Sequence, residues 1–174
     1  MASIRGQAFK DFVFAMQETG SRPSEIARVN AADVNLVKGT WTFTKHKTGR
    51  KTGQPRIVYL TPIMIELTRR LMEEHPTGPI FRNRLGEPFT RNAIRCRFRQ
   101  LRKKLPHLSG VISYSFRHSY ITDALVNGVP AATVAELVGH KDLKMIQDHY
   151  GHLSQKHEHL RHAAIQATQQ QKVT

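Results

Sequence analysis

The chain has 174 residues, 39% of them hydrophobic, which bounds it to one domain, or one domain with a tail, around an ordinary core. Lysine and arginine total 27 against 13 aspartates and glutamates, and the resulting net charge of +14 points to a polyanionic partner, nucleic acid first. No apolar run approaches the ~18 residues of a spanning helix and no signal-peptide pattern is present, so no membrane partner is expected; the single cysteine, Cys96, excludes an internal disulfide framework and fits a reducing, intracellular compartment.

Residues 6–19 carry Phe9, Phe12, Val13 and Met16 at helical spacing, and Gly20 stops the helix. Pro23 suits the first turn of a new helix and pushes Arg22 into an extended conformation. Arg22 is therefore expected at a helix entrance beside free backbone N–H groups, a place where a phosphate can be held. From residue 33 to residue 60 the period changes to two. Val34 and Leu36 alternate, Lys38-Gly39 signals a turn, and Trp41 and Phe43 alternate after it. The basic segment HKTGRKTGQPR (46–56) makes a second turn, and Ile57 to Leu60 return as a third strand, giving a small three-stranded antiparallel sheet with a basic loop at its tip.

The rest predicts helices, so the fold class is α+β, mostly helical. They run over 62–74, 91–105, 115–127 with Gly128 as cap, 130–138 and 143–150, with 76–88 a loop and 154–170 a polar tail helix. In the 91–105 helix Ile94, Phe98, Leu101 and Leu105 share one face, and Arg91, Arg95, Arg99 and Arg102 another. Those four arginines are expected to contact a phosphate backbone, which gives affinity rather than sequence choice. Cys96 in the same helix is expected to be a buried, inert thiol.

The polar residues that stand out lie far apart in sequence: Arg22, Lys47 or Lys51, Arg117 with His118, His140 and Tyr150. Two guanidiniums can clamp a phosphodiester and stabilise charge on a pentavalent phosphorus. A tyrosine hydroxyl can attack that phosphorus and form a covalent ester, a lysine can protonate the departing sugar oxygen, and a histidine can donate to a non-bridging oxygen. The arginines supply the positive charge that a magnesium ion would otherwise bring, so neither metal nor cofactor is expected. His149, His152, His157, His159 and His162 raise a metal reading, but no cysteine or carboxylate partners stand at suitable spacing, and a solvated helix is the better reading. A different class also fits part of the pattern: residues 115–127, the Gly128 turn and 130–138 could pass for a helix-turn-helix that binds DNA without chemistry.

Four segments together resemble the tyrosine recombinase (phage integrase) family. TGSRPSEIARVNAADV (19–34) is similar to its first arginine box and HKTGRKTGQPRIVYL (46–60) to the hairpin with its catalytic lysine; SYSFRHSYITDAL (113–125) resembles its second arginine box and LVGHKDLKMIQDHYGHL (137–153) the box that ends in the nucleophilic tyrosine. The resemblance implies the catalytic-domain fold of that family over residues 1–153, with 154–174 a C-terminal tail helix. It implies that Arg22 and Arg117 bind the scissile phosphate, that His140 contacts it, and that Tyr150 attacks it to form a 3′-phosphotyrosyl link with a free 5′-hydroxyl. It further implies double-stranded DNA as partner, a homotetramer on DNA, a monomer as an isolated fragment, and the bacterial cytoplasm (nucleoid) as location. A degenerate remnant that only binds DNA, and a type IB topoisomerase sharing the chemistry, are the alternatives.

The sequence departs from the family pattern in several places. Tyr114 stands where the family's His-x-x-Arg box begins, and a phenol is a poor general base at neutral pH. His140 and Tyr150 are one residue further apart than is usual, and the usual spacing lands on His149. The hairpin holds two KTG triplets: Lys47 matches by distance from the entering strand and is favoured, whereas Lys51 matches by distance to the leaving strand. Residues 1–18 are expected to accommodate neither the family's N-terminal DNA-binding domain nor its first catalytic-domain helix, so the chain reads as a catalytic-domain fragment or a naturally short one.

Overall fold

The computed structural model describes residues 6–44, 55–140, 143–146, 148, 150, 161 and 165. The chain divides into two compact units, Met1–Tyr120 and Ile121–Thr174.

In the first unit, helix α1 (Gln7–Thr19) buries Phe9, Phe12, Val13, Ala15 and Met16, as its spacing predicts. It ends at Gly20, which takes φ +58° and donates its N–H to the Met16 carbonyl. The one-turn helix α2 (Pro23–Ile26) follows with proline in its first position. A 3-10 turn over Ala31–Asp33 leads into the sheet. Its strands are β1 (Val34–Asn35), β2 (Thr40–Phe43) and β3 (Arg56–Tyr59), antiparallel in the order β1-β2-β3. The register sets Val34 opposite Trp41, Thr40 opposite Tyr59 and Phe43 opposite Arg56. Helices α3 (Pro62–Glu74) and α4 (Arg91–Lys104) match their expected spans, and a second 3-10 turn, Pro106–Leu108, was not foreseen from the sequence.

An aromatic cluster unites these elements. Phe12 lies 4.8 Å from Phe89 between ring centroids and 6.0 Å from Phe81; Trp41 meets Phe81 at 5.7 Å, edge to face, and Phe9 meets Phe98 at 5.8 Å. Such tilted and edge-on pairs are each worth ~0.5–1.5 kcal/mol beyond their burial. The 76–88 loop is thus more than a connector: Ile80 and Phe81 are fully buried and carry it into the core. Two sequence expectations are corrected here. The third strand begins at Arg56 rather than Ile57, because Arg56 pairs with Phe43. Cys96 is only half-buried, with the Arg99 guanidinium nitrogen Nη2 3.7 Å from its sulfur.

Helix α5 (Ser115–Val126) begins in the first unit and continues into the second, followed by α6 (Ala131–Val138). The second unit buries Ile121, Val134, Ala135, Val138, Ile146 and Tyr150. Residues 144–146, 148 and 150 are helical, and so are the exposed Arg161 and Ile165; the remainder of the expected tail helix lies outside the described residues. Among the described residues no helix is long and apolar enough to cross a membrane.

Asp11 is the buried carboxylate that ties α1 to α3. It receives Gln7 Nε2 at 2.8 Å and pairs with Arg70 Nη2 at 2.9 Å, and this bond raises the Arg70 pKa. The Arg70 side chain is 42% exposed, so solvent screens much of the pair. Asp11→Ala is expected to lower stability by about 1–2 kcal/mol, read as a shift in urea midpoint without a change in slope.

Candidate active site

The turn between α1 and α2 is held by bonds from both ends. Thr19 Oγ1 donates to the Ala15 carbonyl at 2.6 Å and accepts the Ser21 N–H at 3.2 Å. Arg22 takes φ −65° and ψ 142°, the extended conformation that a following proline imposes. Its backbone N–H donates to Glu25 Oε2 at 2.9 Å, and its guanidinium Nη1 donates to Glu25 Oε1 at 3.0 Å. The expectation of free N–H groups at this helix entrance is therefore corrected. A carboxylate from within the same turn already occupies the Arg22 donor, and α2 is only one turn long. Any anion here meets the Arg22 side chain, which is 35% exposed.

Arg117 comes from α5, 95 residues further along the chain. It is 1% exposed, and its Nη1 donates to the Gly20 carbonyl at 2.8 Å. Burial pushes its pKa down to about 10, with the Arg22 charge acting in the same direction, while Tyr114 and Glu25 act the opposite way. The guanidinium remains protonated at neutral pH. Arg117 is thus tied, within the first unit, to the residue two positions before Arg22.

Tyr114 precedes α5 and starts it: its carbonyl accepts the Arg117 N–H at 3.1 Å and the His118 N–H at 3.2 Å. Its ring lies 5.7 Å from the His118 ring, and the residue is 39% exposed. Two further members went unnoticed in the sequence. Arg56 opens β3 on its buried face beside Val58, is 7% exposed, and donates from Nη1 to the Ile57 carbonyl at 2.6 Å. Burial lowers its pKa, Glu25 raises it, and Arg22 lowers it. The available signal was the period-two pattern, in which an arginine falls on the inward face of a strand where Val58 shows that an apolar residue fits. Tyr120 is the second. A Cβ built on Gly20 would come within 2.5 Å of the Tyr120 ring, so this ring fills the space that glycine leaves. Burial raises the Tyr120 pKa and the Arg56 charge opposes it.

In the second unit, His140 follows α6. Gly139 takes φ +67°, and the His140 N–H returns to the Ala135 carbonyl at 2.8 Å, closing the helix end. Tyr150 is a helical residue only 8% exposed, buried in the second unit along with Ile146. Lys47 and Lys51 lie outside the described residues, as do His149, His152, His157, His159 and His162. Among the described residues no group of His, Cys, Asp and Glu could hold a metal ion. On α4, Arg91, Arg95 and Arg99 are exposed as expected. Arg102 is half-buried and donates to the Val111 carbonyl at 3.0 Å, so it also serves as a structural tie. Asn92, Arg95, Cys96, Arg99 and Arg102 line a hollow of about 380 Å³.

The first unit of this mostly helical α+β chain gathers buried guanidiniums from distant segments, Arg56 from β3 and Arg117 from α5. The phage integrase family pattern matches residues 2–157, and the chain belongs to that family. It is 30% identical over 157 residues to tyrosine recombinase XerD of Staphylococcus saprophyticus, covering 88% of this chain and 53% of that protein. The chain spans about half the length of the curated relatives it matches. The fold is also that of the XerA recombinase crystal structure, at TM-score 0.65 and 18% identity, over 95% of this chain and 64% of that one. The Tn1549 transposon integrase in complex with circular intermediate DNA matches at TM-score 0.69 and 16% identity, over 83% of this chain and 55% of that one.

Gly20 is the testable joint of this site. Gly20→Ala forces a Cβ against the Tyr120 ring and strains a left-handed residue. The expected loss is about 2–4 kcal/mol, combining overpacking and left-handed strain. Gly86→Ala, at φ +80° with open space around it, is expected to lose only about 1 kcal/mol. Chemical denaturation of the two variants side by side measures the difference.

Proposed function

We propose that this chain is the catalytic part of a site-specific DNA recombinase, which cleaves and rejoins DNA strands through a 3′-phosphotyrosine intermediate. The observation that carries the reading is the fully buried Arg117, bonded to the Gly20 carbonyl and electrostatically joined to Arg22 from the other arginine box. Family membership and the DNA complex of the Tn1549 integrase support it.

On this reading Arg22 and Arg117 hold the scissile phosphate and stabilise its pentavalent state. The Tyr150 oxygen attacks phosphorus and loses its proton, the bond to the 5′-oxygen breaks, and that oxygen leaves as a hydroxyl after protonation by Lys47 or Lys51. The reverse attack by a 5′-hydroxyl rejoins the strand and restores the tyrosine, so no outside energy source is consumed. His140 donates to a non-bridging oxygen, and Tyr114, at the position of the family's histidine, serves as a hydrogen-bond donor. Tyr150 is 8% exposed, so its hydroxyl must be presented to the DNA when the duplex binds. Arg91, Arg95, Arg99 and Arg102 contribute phosphate-backbone contacts. Double-stranded DNA is the partner, a homotetramer the assembly on it, and the bacterial nucleoid the location.

The test is recovery of a covalent protein–DNA adduct on nicked duplexes carrying candidate sites. Tyr150→Phe is expected to abolish the adduct while leaving DNA retention intact. An undiminished adduct in that variant removes Tyr150 from the chemistry. A wild-type chain that retains DNA but never forms an adduct is instead a DNA-binding module. Cleavage is expected to proceed in EDTA, since the arginines supply the positive charge; cleavage that stops in EDTA and returns with magnesium contradicts this. Arg22→Ala and Arg117→Ala are each expected to slow adduct formation about 10²–10³-fold in single-turnover assays.

A further inference from the structure

Arg117 and Tyr120 lie three positions apart on α5 and so share one helix face. Both meet the same residue of a distant segment. Arg117 Nη1 donates to the Gly20 carbonyl at 2.8 Å, and the Tyr120 ring lies against the open side of the Gly20 α-carbon. The approach is broad. A Cβ at Gly20 would stand 2.5 Å from Cδ1, 2.7 Å from Cγ and 3.1 Å from Cε1 of that ring, so one whole edge of it occupies the space a side chain would need. Gly20 is buried, held at φ +58° and ψ 9°, and its N–H donates to the Met16 carbonyl. The carbonyl that receives Arg117 therefore belongs to a residue gripped between the end of α1 and the Tyr120 ring.

A phosphate ligand has a use for that grip. A guanidinium on a long side chain has many rotamers, whereas stabilising a pentavalent phosphorus needs its donors aimed at one place. The Gly20 carbonyl can orient Arg117 only as far as Gly20 itself is held still, and glycine is the residue with the widest backbone freedom. The bonds to Met16 and around Thr19 hold it from the α1 side. The ring holds it from the α5 side and keeps out water that would compete for the same carbonyl. We propose that Tyr120 is a positioning residue for Arg117: its ring, packed on Gly20, fixes the carbonyl that orients the guanidinium towards the scissile phosphate. The inference rests on the reading of Arg117 as a phosphate ligand. On it the ring matters and the hydroxyl does not, and the effect falls on the chemical step rather than on DNA affinity.

The test is single-turnover adduct formation at saturating nicked duplex, with the duplex dissociation constant measured separately. Tyr120→Leu and Tyr120→Met each keep an apolar side chain and lose the flat ring, so one folded variant of the two suffices. Each is expected to slow adduct formation about tenfold while the dissociation constant stays within about twofold. Tyr120→Phe keeps the ring and is expected to react within about twofold of wild type. Gly20→Ala, which displaces the ring, is expected to be slow as well, and Gly20→Ala with Tyr120→Leu no slower than the slower single variant, because both act through one contact. Ring-less variants that react at the wild-type rate overturn the inference. So does a loss of rate matched by an equal loss of duplex binding, the mark of a merely structural ring. Tyr120→Phe as slow as Tyr120→Leu overturns it by moving the role to the hydroxyl, and losses that multiply in the double variant overturn it by making the two residues independent. Arg117→Ala is the control. If it is slowed while the Tyr120 variants are not, only the inference about Tyr120 falls. If it reacts like wild type, Arg117 is no phosphate ligand and both readings fall.

Discussion

The hydrogen bond from the Arg117 guanidinium to the Gly20 carbonyl is the interaction on which the candidate site depends. It joins the turn after the first helix to the first turns of α5, 97 positions apart, and it is made in the protein interior. A buried cation is tolerable only with partners that hold its donors. The Gly20 carbonyl supplies one, and the glycine's missing side chain lets the Tyr120 ring approach closely enough to seal the contact. The Thr19, Ser21 and Glu25 bonds then fix the remainder of the turn, so the place of Arg22 is determined by the same joint that holds Arg117. The aromatic cluster of Phe9, Phe12, Trp41, Phe81, Phe89 and Phe98 keeps α1, the sheet and α4 in register around it.

Much of the fold was legible because it follows from local rules. The α1 spacing, Gly20 as its stop and Pro23 at the start of α2 produced the elements they predicted, and the change to period two produced a three-stranded antiparallel sheet, although Leu36 falls in the turn and the third strand starts one residue early. Arg22 and Arg117 fall in the same unit, and Arg117 bonds to Gly20 beside Arg22. What was not legible depends on which groups meet across the chain. Glu25 lies three residues after Arg22, yet nothing in the sequence says that its carboxylate folds back on that residue rather than into solvent. Arg56 looked like part of a basic loop, because a charge run is usually solvated, and only the strand register turns it inward. Ile80 and Phe81 lay in a Pro- and Gly-containing stretch that reads as surface, but their burial outweighs loop composition.

Tyr150 shows how little sequence context says about environment. Its chain neighbours are polar, but a helix turns successive residues to different faces, and this one is buried, as is Ile146 four positions before it. The histidines that surround it in sequence say little about what surrounds it in space. The same reasoning applies to Arg102, which shares a helical stripe with Arg95 and Arg99 yet spends a donor on the Val111 carbonyl.

The two sets of arginines also differ in how they answer to ionic strength. Arg91, Arg95 and Arg99 stand in solvent, where dissolved ions screen charges beyond about 8 Å at 0.15 M salt. Arg117 and Arg56 lie in the interior, where counterions do not penetrate. Added salt therefore weakens what the α4 arginines contribute long before it weakens the buried cluster. On the proposed function, an anion seated against Arg117 would be held by a field that the surrounding electrolyte barely reaches, so tenacity of grip at the reactive phosphate and overall affinity for a polyanion would be separately adjustable properties of one chain.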